Sequence, residues 1–369
     1  MNEIGKILAS QDIWYVLLAL LVAAVVSCAA TPLVKTLSVK FGAVDVPRDG
    51  RRMHDHPIPR MGGLAIFFGF LAAVLVFVPL NTEKKGMLLG AVIIVVLGVL
   101  DDKYALPAKP KFLVQIVAAL IAVLAGNRIE VLSNPNIFSP NPVWQLGWLA
   151  YPVTVIWIVA ITNAVNLIDG LDGLACGVST ISAATMLVIA LQKNVGELDV
   201  AVMMAALLGA CLGFIPYNMN PAKIFMGDTG STFLGYMLAT ASIMGLFKFY
   251  AVISFAVPFL ILGLPIFDTF SAITRRLAEG RSPMSPDRGH VHHKLIDMGF
   301  NQKQAVAILY AISGTLGLAA VVLTSSGEMK AMILLIAVLL VLAAAICILY
   351  SHEQHIHNAA GKDEEHGEN

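Results

Sequence analysis

Asn166, Asp169 and Asp172 stand about one helical turn apart in NAVNLIDGLDGL (Asn163 to Leu174), between long apolar runs. Unpaired carboxylates at membrane depth are costly and mark function by default. Gly170 and Gly173 let the backbone turn and admit a ligand closely. A second cluster, VLDDKYALPAKPK, sets Asp101 and Asp102 side by side, with Lys103 and Lys111 following. Adjacent carboxylates ionise together only beside cations, and a divalent metal or a metal-bound phosphate supplies them. A structural cap is a poor reason for such a pair, because acids at a helix C-terminus oppose the macrodipole. In FMGDTGS the small residues open a new apolar run. A helix N-terminus there suits an anion, Asp228 suits the metal that rides on it, and Phe225 suits a stacked ring. In RSPMSPDRGHVHHKL, Arg288, His290, His292 and His293 lie within six residues. The H-x-H-H spacing lacks the helical pair of a zinc site, so a diphosphate clamp is the preferred reading. RRMHDHPIPRMGG reads as a basic loop for lipid headgroups and topology, and Asp268 as a partner for an arginine such as Arg275 or a support for the site.

The elements that must position these groups are membrane helices. The chain has 369 residues, 58% hydrophobic and 13% charged, with mean hydropathy +0.80; soluble domains are about a quarter charged. The fold class is therefore all-α and polytopic. Eleven candidate spans begin near Ile13, Gly62, Met87, Phe112, Leu149, Leu174, Val200, Ser231, Ala251, Gln304 and Ala331. One set of alternate loops holds most of the 24 basic residues, so that side is cytoplasmic, with the N-terminus outside and the C-terminus inside. Asp101, Asp102, Asn166, Asp169, Asp172, Asp228 and the histidine cluster all fall at cytoplasmic ends. A secondary transporter would hold its polar residues near the midplane on broken helices. Residues 1–350 form one transmembrane domain, and 351–369 a polar tail expected to be disordered. Cys28, Cys176, Cys211 and Cys347 show no metal or disulfide spacing. The zero net charge implies no nucleic-acid partner. No Walker loop is present, so the carboxylates, basic loops and phosphate turns point to phosphoryl transfer between a soluble nucleotide compound and a membrane lipid.

In five ordered blocks the chain resembles the polyprenyl-phosphate N-acetylhexosamine-1-phosphate transferases: HPIPRMGG, DDKYALPAKPKFLVQ, NAVNLIDGLDGL, FMGDTGS and GHVHHKL, between about Thr31 and Ile346. The HVHH block and His56 set it apart from the phospho-N-acetylmuramoyl-pentapeptide branch, which carries three consecutive histidines and a lysine at the His56 position. It looks more like the undecaprenyl-phosphate N-acetylglucosamine-1-phosphate transferases of teichoic acid, O-antigen and similar polymers. The resemblance implies Mg²⁺, or Mn²⁺ as a substitute, on Asn166 and Asp228. It implies that Asp101 or Asp102 deprotonates or orients the lipid phosphate, that Lys111 binds phosphate, and that Asp169 belongs to the catalytic carboxylates. Asp172 and Phe225 would form the uracil pocket with Asn218 nearby, and Arg288, His290, His292 and His293 would hold diphosphate and sugar. Its partners are UDP-N-acetylglucosamine, undecaprenyl phosphate and the bilayer of a bacterial plasma membrane, with a homodimer as a further expectation. Direct attack by the lipid phosphate needs fewer special groups than a phospho-aspartate intermediate. Another UDP-sugar on the same scaffold is the nearest alternative.

Overall fold

The computed structural model describes residues 11–47, 56–134, 141, 143–192, 198–245, 256–282, 285 and 289–325. Its helices are α1 (Gln11–Phe41), α2 (Gly63–Phe77), α3 (Thr82–Tyr104), α4 (Ala108–Leu124), α5 (Ala150–Leu167) and α6 (Leu174–Ala190). They continue with α7 (Leu198–Asn218), α8 (Gly227–Gly245), α9 (Ala256–Ile261), α10 (Gly263–Ala278), α11 (Val291–Asp297) and α12 (Gln302–Ser325). Helices thus occupy ten of the eleven expected positions; the run at Ala331 and the tail from 351 lie outside the described residues. The run at Ala251 differs from expectation: its described part is two short helices, α9 and α10, that break at Leu262. Among the described residues four helices are long and apolar enough to cross a membrane, namely Asp12–Phe41, Gly147–Leu167, Leu198–Asn218 and Gln302–Thr324. The apolar α2 and α6 are shorter, at 15 and 17 residues. Helix α3 has the length, but Glu83, Lys84 and Lys85 at its start and Asp101, Asp102 and Lys103 at its end leave a shorter apolar run between them. By contacts the chain divides after Val321, and the described part of the second unit is only the end of α12.

Helix α8 is the centre of the first unit. Every one of its residues except Asp228 is buried, and α2, α3, α5 and α6 pack around it. Apolar burial alone does not bring helices together in lipid; close approach of small residues and interhelical hydrogen bonds do. Both are present. Phe67 and Phe70 of α2 meet Phe233 edge-on, at 5.5 and 5.6 Å between ring centroids. Tyr236 Oη donates to the Met87 carbonyl at 3.1 Å, and Trp157 Nε1 donates to Ser242 Oγ at 3.1 Å. Thr232, Thr240, Thr162 and Thr154 each donate to the carbonyl four residues back, so their hydroxyls are satisfied without water.

The start of α8 is held tightest. At Gly98 of α3 an added Cβ would lie 2.3 Å from Thr229 Cα, backbone against backbone, with no side chain to yield. Gly98→Ala is expected to destabilise the fold by about 3 kcal/mol, the upper part of the overpacking range, and to cut activity with it. Thermal unfolding in detergent checks this, and an unchanged melting temperature would contradict the close approach.

Two hairpins complete the described structure. Val44–Asp45 (β1) pairs antiparallel with Ile58–Pro59 (β2), and Val131–Ser133 (β3) with Val143–Gln145 (β4). After β2 the chain docks on the residues before α8: Phe225 N donates to the Pro59 carbonyl at 2.8 Å, and Gly62 N and Gly63 N donate to the Phe225 and Met226 carbonyls at 2.9 Å. That pairing carries Arg60 to the head of α8. Trp144 and Trp148, at the second hairpin, are both exposed.

Candidate active site

The last turn of α3 meets the first turn of α8. Asp102, whose side chain is fully buried, accepts from Asp228 N at 2.9 Å, Thr229 N at 3.1 Å and Thr229 Oγ1 at 2.6 Å. Its own helix dipole opposes it there, but the N-terminus of α8 welcomes it. This corrects one expectation: the anion at the N-terminus of α8 is Asp102, and two of that terminus's free N–H groups are spent on it. Asp101 accepts from Leu106 N at 2.7 Å with one oxygen and from Lys111 Nζ at 2.5 Å with the other. Lys111 also reaches Asp228 Oδ2 at 3.1 Å. Arg60 bridges the remaining faces, with Nε 3.4 Å from Asp102 Oδ1 and a terminal nitrogen 3.6 Å from Asp228 Oδ1. Arg60 is a site residue that the sequence reading left in a basic loop. Its sign in the sequence is its place in HPIPRMGG, the first of the five blocks of the resemblance.

Asn166, near the end of α5, donates from Nδ2 to Ser231 Oγ at 2.8 Å, which leaves its carbonyl oxygen as an acceptor. Asp169 lies in the turn after α5. Burial, and then the Asp228 charge, push its carboxyl up to about 8, so it is mostly protonated at neutral pH. Among the described residues the corner then sets the carboxylates of Asp101, Asp102 and Asp228 against two cations, Arg60 and Lys111.

The expected uracil-pocket residues lie along the loop between α7 and α8. Asp172 Oδ2 accepts from Asn220 Nδ2 and from Ala222 N, both at 3.0 Å. Asn218 is buried and donates to the Ile224 carbonyl at 3.1 Å, so it shapes the loop from within. Phe225 is half-buried. The histidine block reaches the same region from the other side. His290 Nδ1 lies 2.8 Å from Asp268 Oδ2, and Val291 N donates to Asp268 Oδ1 at 2.8 Å. Asp268 thus pairs with His290 and caps the start of α11. His292 stacks between His290 and His293, and its Nε2 would lie 2.2 Å from a Cβ on Gly170. Burial and then His293 push His292 down to about 4. It is neutral at pH 7 and would meet a diphosphate or sugar as a hydrogen-bonding group. Arg288 lies outside the described residues.

One cavity of about 790 Å³ joins much of this. Asp101, Lys111, Asn166, Asp228 and His290 line its polar part, together with Gln115, Asn163, Thr269 and Arg276, which sequence reasoning did not single out. Leu97, Phe112, Ile116, Val155, Ile156 and Val159 are among the apolar residues of its wall. Asp102, Asp169, Asp172, Asn218, Phe225, His292 and His293 stand outside that lining.

A model of the family described as Glycosyl transferase family 4 matches residues 85–246. A probable undecaprenyl-phosphate N-acetylglucosaminyl 1-phosphate transferase of Bacillus subtilis (strain 168) is 46% identical over 297 residues, 80% of this chain and 81% of that protein. The chain belongs to glycosyl transferase family 4. A decaprenyl-phosphate N-acetylglucosaminephosphotransferase of Mycolicibacterium smegmatis is 35% identical over 88% of this chain and 86% of its own length. An undecaprenyl-phosphate alpha-N-acetylglucosaminyl 1-phosphate transferase of Yersinia pestis is 30% identical over 78% and 79%. The family 4 match spans the carboxylates from Asp101 to Asp228 and stops short of Arg60 and the histidine block, which the fold nevertheless brings to the same corner.

The donor set of this family 4 chain fits a divalent cation. Asp228 and the carbonyl oxygen of Asn166 are the hard oxygen donors that would hold one. Among the described residues no three acidic, histidine or cysteine side chains converge on one point. Mg²⁺, which takes one or two protein carboxylates and fills its shell with phosphate and water, would ask no more of the protein than Asp228 and Asn166.

Proposed function

We propose that the chain transfers N-acetylglucosamine-1-phosphate from UDP-N-acetylglucosamine to undecaprenyl phosphate, giving undecaprenyl-diphospho-N-acetylglucosamine and UMP. It does so at the cytoplasmic face of a bacterial plasma membrane, as an early step of a surface polymer. The cavity carries this reading. A charged end at Asp101, Lys111 and Asp228 runs into a wall of Leu97, Phe112, Ile116 and Val159, the outline of a phosphate on a long apolar chain. The names of the relatives support a polyprenyl-phosphate acceptor, and the basic loops support the cytoplasmic side.

In this reading Lys111 and Arg276 draw the lipid phosphate to the cavity head, and Asp101 sets the position of Lys111. A phosphate oxygen of the lipid attacks the β-phosphorus of the donor. The bond from that phosphorus to the bridging oxygen breaks, and UMP leaves with the oxygen. Asp228 and Asn166 would hold Mg²⁺, which would supply charge neutralisation for the diphosphate. Arg60 keeps Asp228 aimed. Asp172 and Phe225 receive the uracil, and His290, oriented by Asp268, faces the cavity beside the transferred group.

The test is UMP release by the detergent-purified protein with undecaprenyl phosphate and Mg²⁺. UDP-N-acetylglucosamine, UDP-N-acetylgalactosamine and UDP-N-acetylmuramoyl-pentapeptide are offered separately, with and without EDTA. Release from the first alone, abolished by EDTA, is expected. Release from the pentapeptide donor would move the chain to the other branch, and a folded sample silent with all three would overturn the reading.

A further inference from the structure

Helix α12 contributes nothing to the cavity, yet it touches the Asp172 turn at two places. Tyr310 Oη donates to the Gly173 carbonyl at 2.6 Å. The contact depends on a bare helix surface, since a Cβ on Gly177 would lie 2.0 Å from the same hydroxyl oxygen. At the start of α12, Gln302 Oε1 accepts from Asn220 Nδ2 at 2.8 Å. The same Nδ2 donates to Asp172 Oδ2 at 3.0 Å, where Ala222 N also donates. Gln302 and Tyr310 are eight residues apart and so share a helix face. One grips the residue after Asp172, and the other grips the amide that holds the Asp172 carboxylate.

We infer that α12 sets the donor side of the site, with Tyr310 and Gln302 as positioning residues that fix the Asp172 carboxylate for the nucleotide base; this rests on the transferase reading above. Asp172 spends Oδ2 on Asn220 and Ala222, which leaves Oδ1 as the acceptor to offer a uracil N–H. Its direction then depends on Asn220, and the direction of Asn220 depends on Gln302. Tyr310 holds the backbone from which Asp172 projects. Neither residue lines the cavity assigned to the lipid phosphate, so their loss should register on one substrate only.

The experiment measures UMP release against each substrate in turn, with melting temperature recorded alongside. Tyr310→Phe and Gln302→Ala should each raise the KM for UDP-N-acetylglucosamine about fivefold, the scale of one lost hydrogen bond, with the KM for undecaprenyl phosphate unchanged. Gln302→Glu keeps an acceptor oxygen and should recover most of the donor affinity. An unchanged donor KM in both variants would overturn the inference. So would equal movement of both KM values with a fall in melting temperature, or a Gln302→Glu enzyme no better than Gln302→Ala. If the parent protein releases no UMP, the failure lies in the transferase reading itself.

Discussion

Asp228→Ala is expected to abolish turnover and leave the fold standing. The side chain is the most open carboxylate of the α3–α8 corner, 21% exposed where Asp101 and Asp102 are 5% and 0%. Its removal strands no buried group. Lys111 keeps Asp101, Arg60 keeps Asp102, and the first N–H groups of α8 keep their bonds to Asp102. What disappears is the one acidic oxygen donor placed both on the cavity and on the head of α8. A preorganised charge of this kind is worth on the order of 1,000-fold in rate, so kcat should fall at least that far with the melting temperature held. A variant that turned over at a near-normal rate in Mg²⁺ would remove Asp228 from the metal site.

The neighbouring aspartates should separate into two kinds of failure. Asp102→Asn turns an amide N–H₂ toward donors that now find an acceptor, while Arg60, partly exposed, keeps Asp228. Losing charge-assisted hydrogen bonds at a buried acceptor costs about 1.5–3 kcal/mol. Loss of stability should therefore be its first symptom, read as a lower melting temperature and a shorter life in detergent. Asp101→Asn loses the charge under Lys111 but keeps a side-chain oxygen for Leu106 N, so its melting should stay near the parent while its rate falls about 100-fold. An Asp102→Asn protein that melts like the parent yet does not turn over would make Asp102 a reacting group and not the anchor of α8.

The carboxylates were legible because charge at the end of an apolar run has few innocent explanations, and Asp101, Asp169, Asp172 and Asp228 all stood out on that ground. Their division of labour was not legible. Asp101 and Asp102 are adjacent in the chain, and only the docking of α8, more than 120 residues later, makes one a cap and leaves the other on the cavity. Arg60 escaped for the same reason, since backbone pairing between 59–63 and 225–226 is invisible in a single basic loop. The histidines were legible as a cluster, but their charge was not. Burial against Gly170 makes His292 neutral, and nothing in H-x-H-H announces that. Asp268, buried in an apolar helix, was rightly marked as needing a partner, and the partner proved to be His290. Ten of the eleven expected positions hold helix, and the break at Leu262 had a sign that went unread: Pro265 has no N–H for the Ile261 carbonyl, which accepts from Ser182 Oγ instead.

Phe112 and Ile156 line the cavity and are also 40% and 66% exposed on the outer faces of α4 and α5. A groove that opens sideways between two apolar helices takes its lipid from the plane of the membrane and not from water. The acceptor concentration that the enzyme senses is then a mole fraction in a two-dimensional film. Diluting that film with inert lipid or detergent slows the encounter even when the amount of acceptor per litre is constant, whereas diluting the water around it does not.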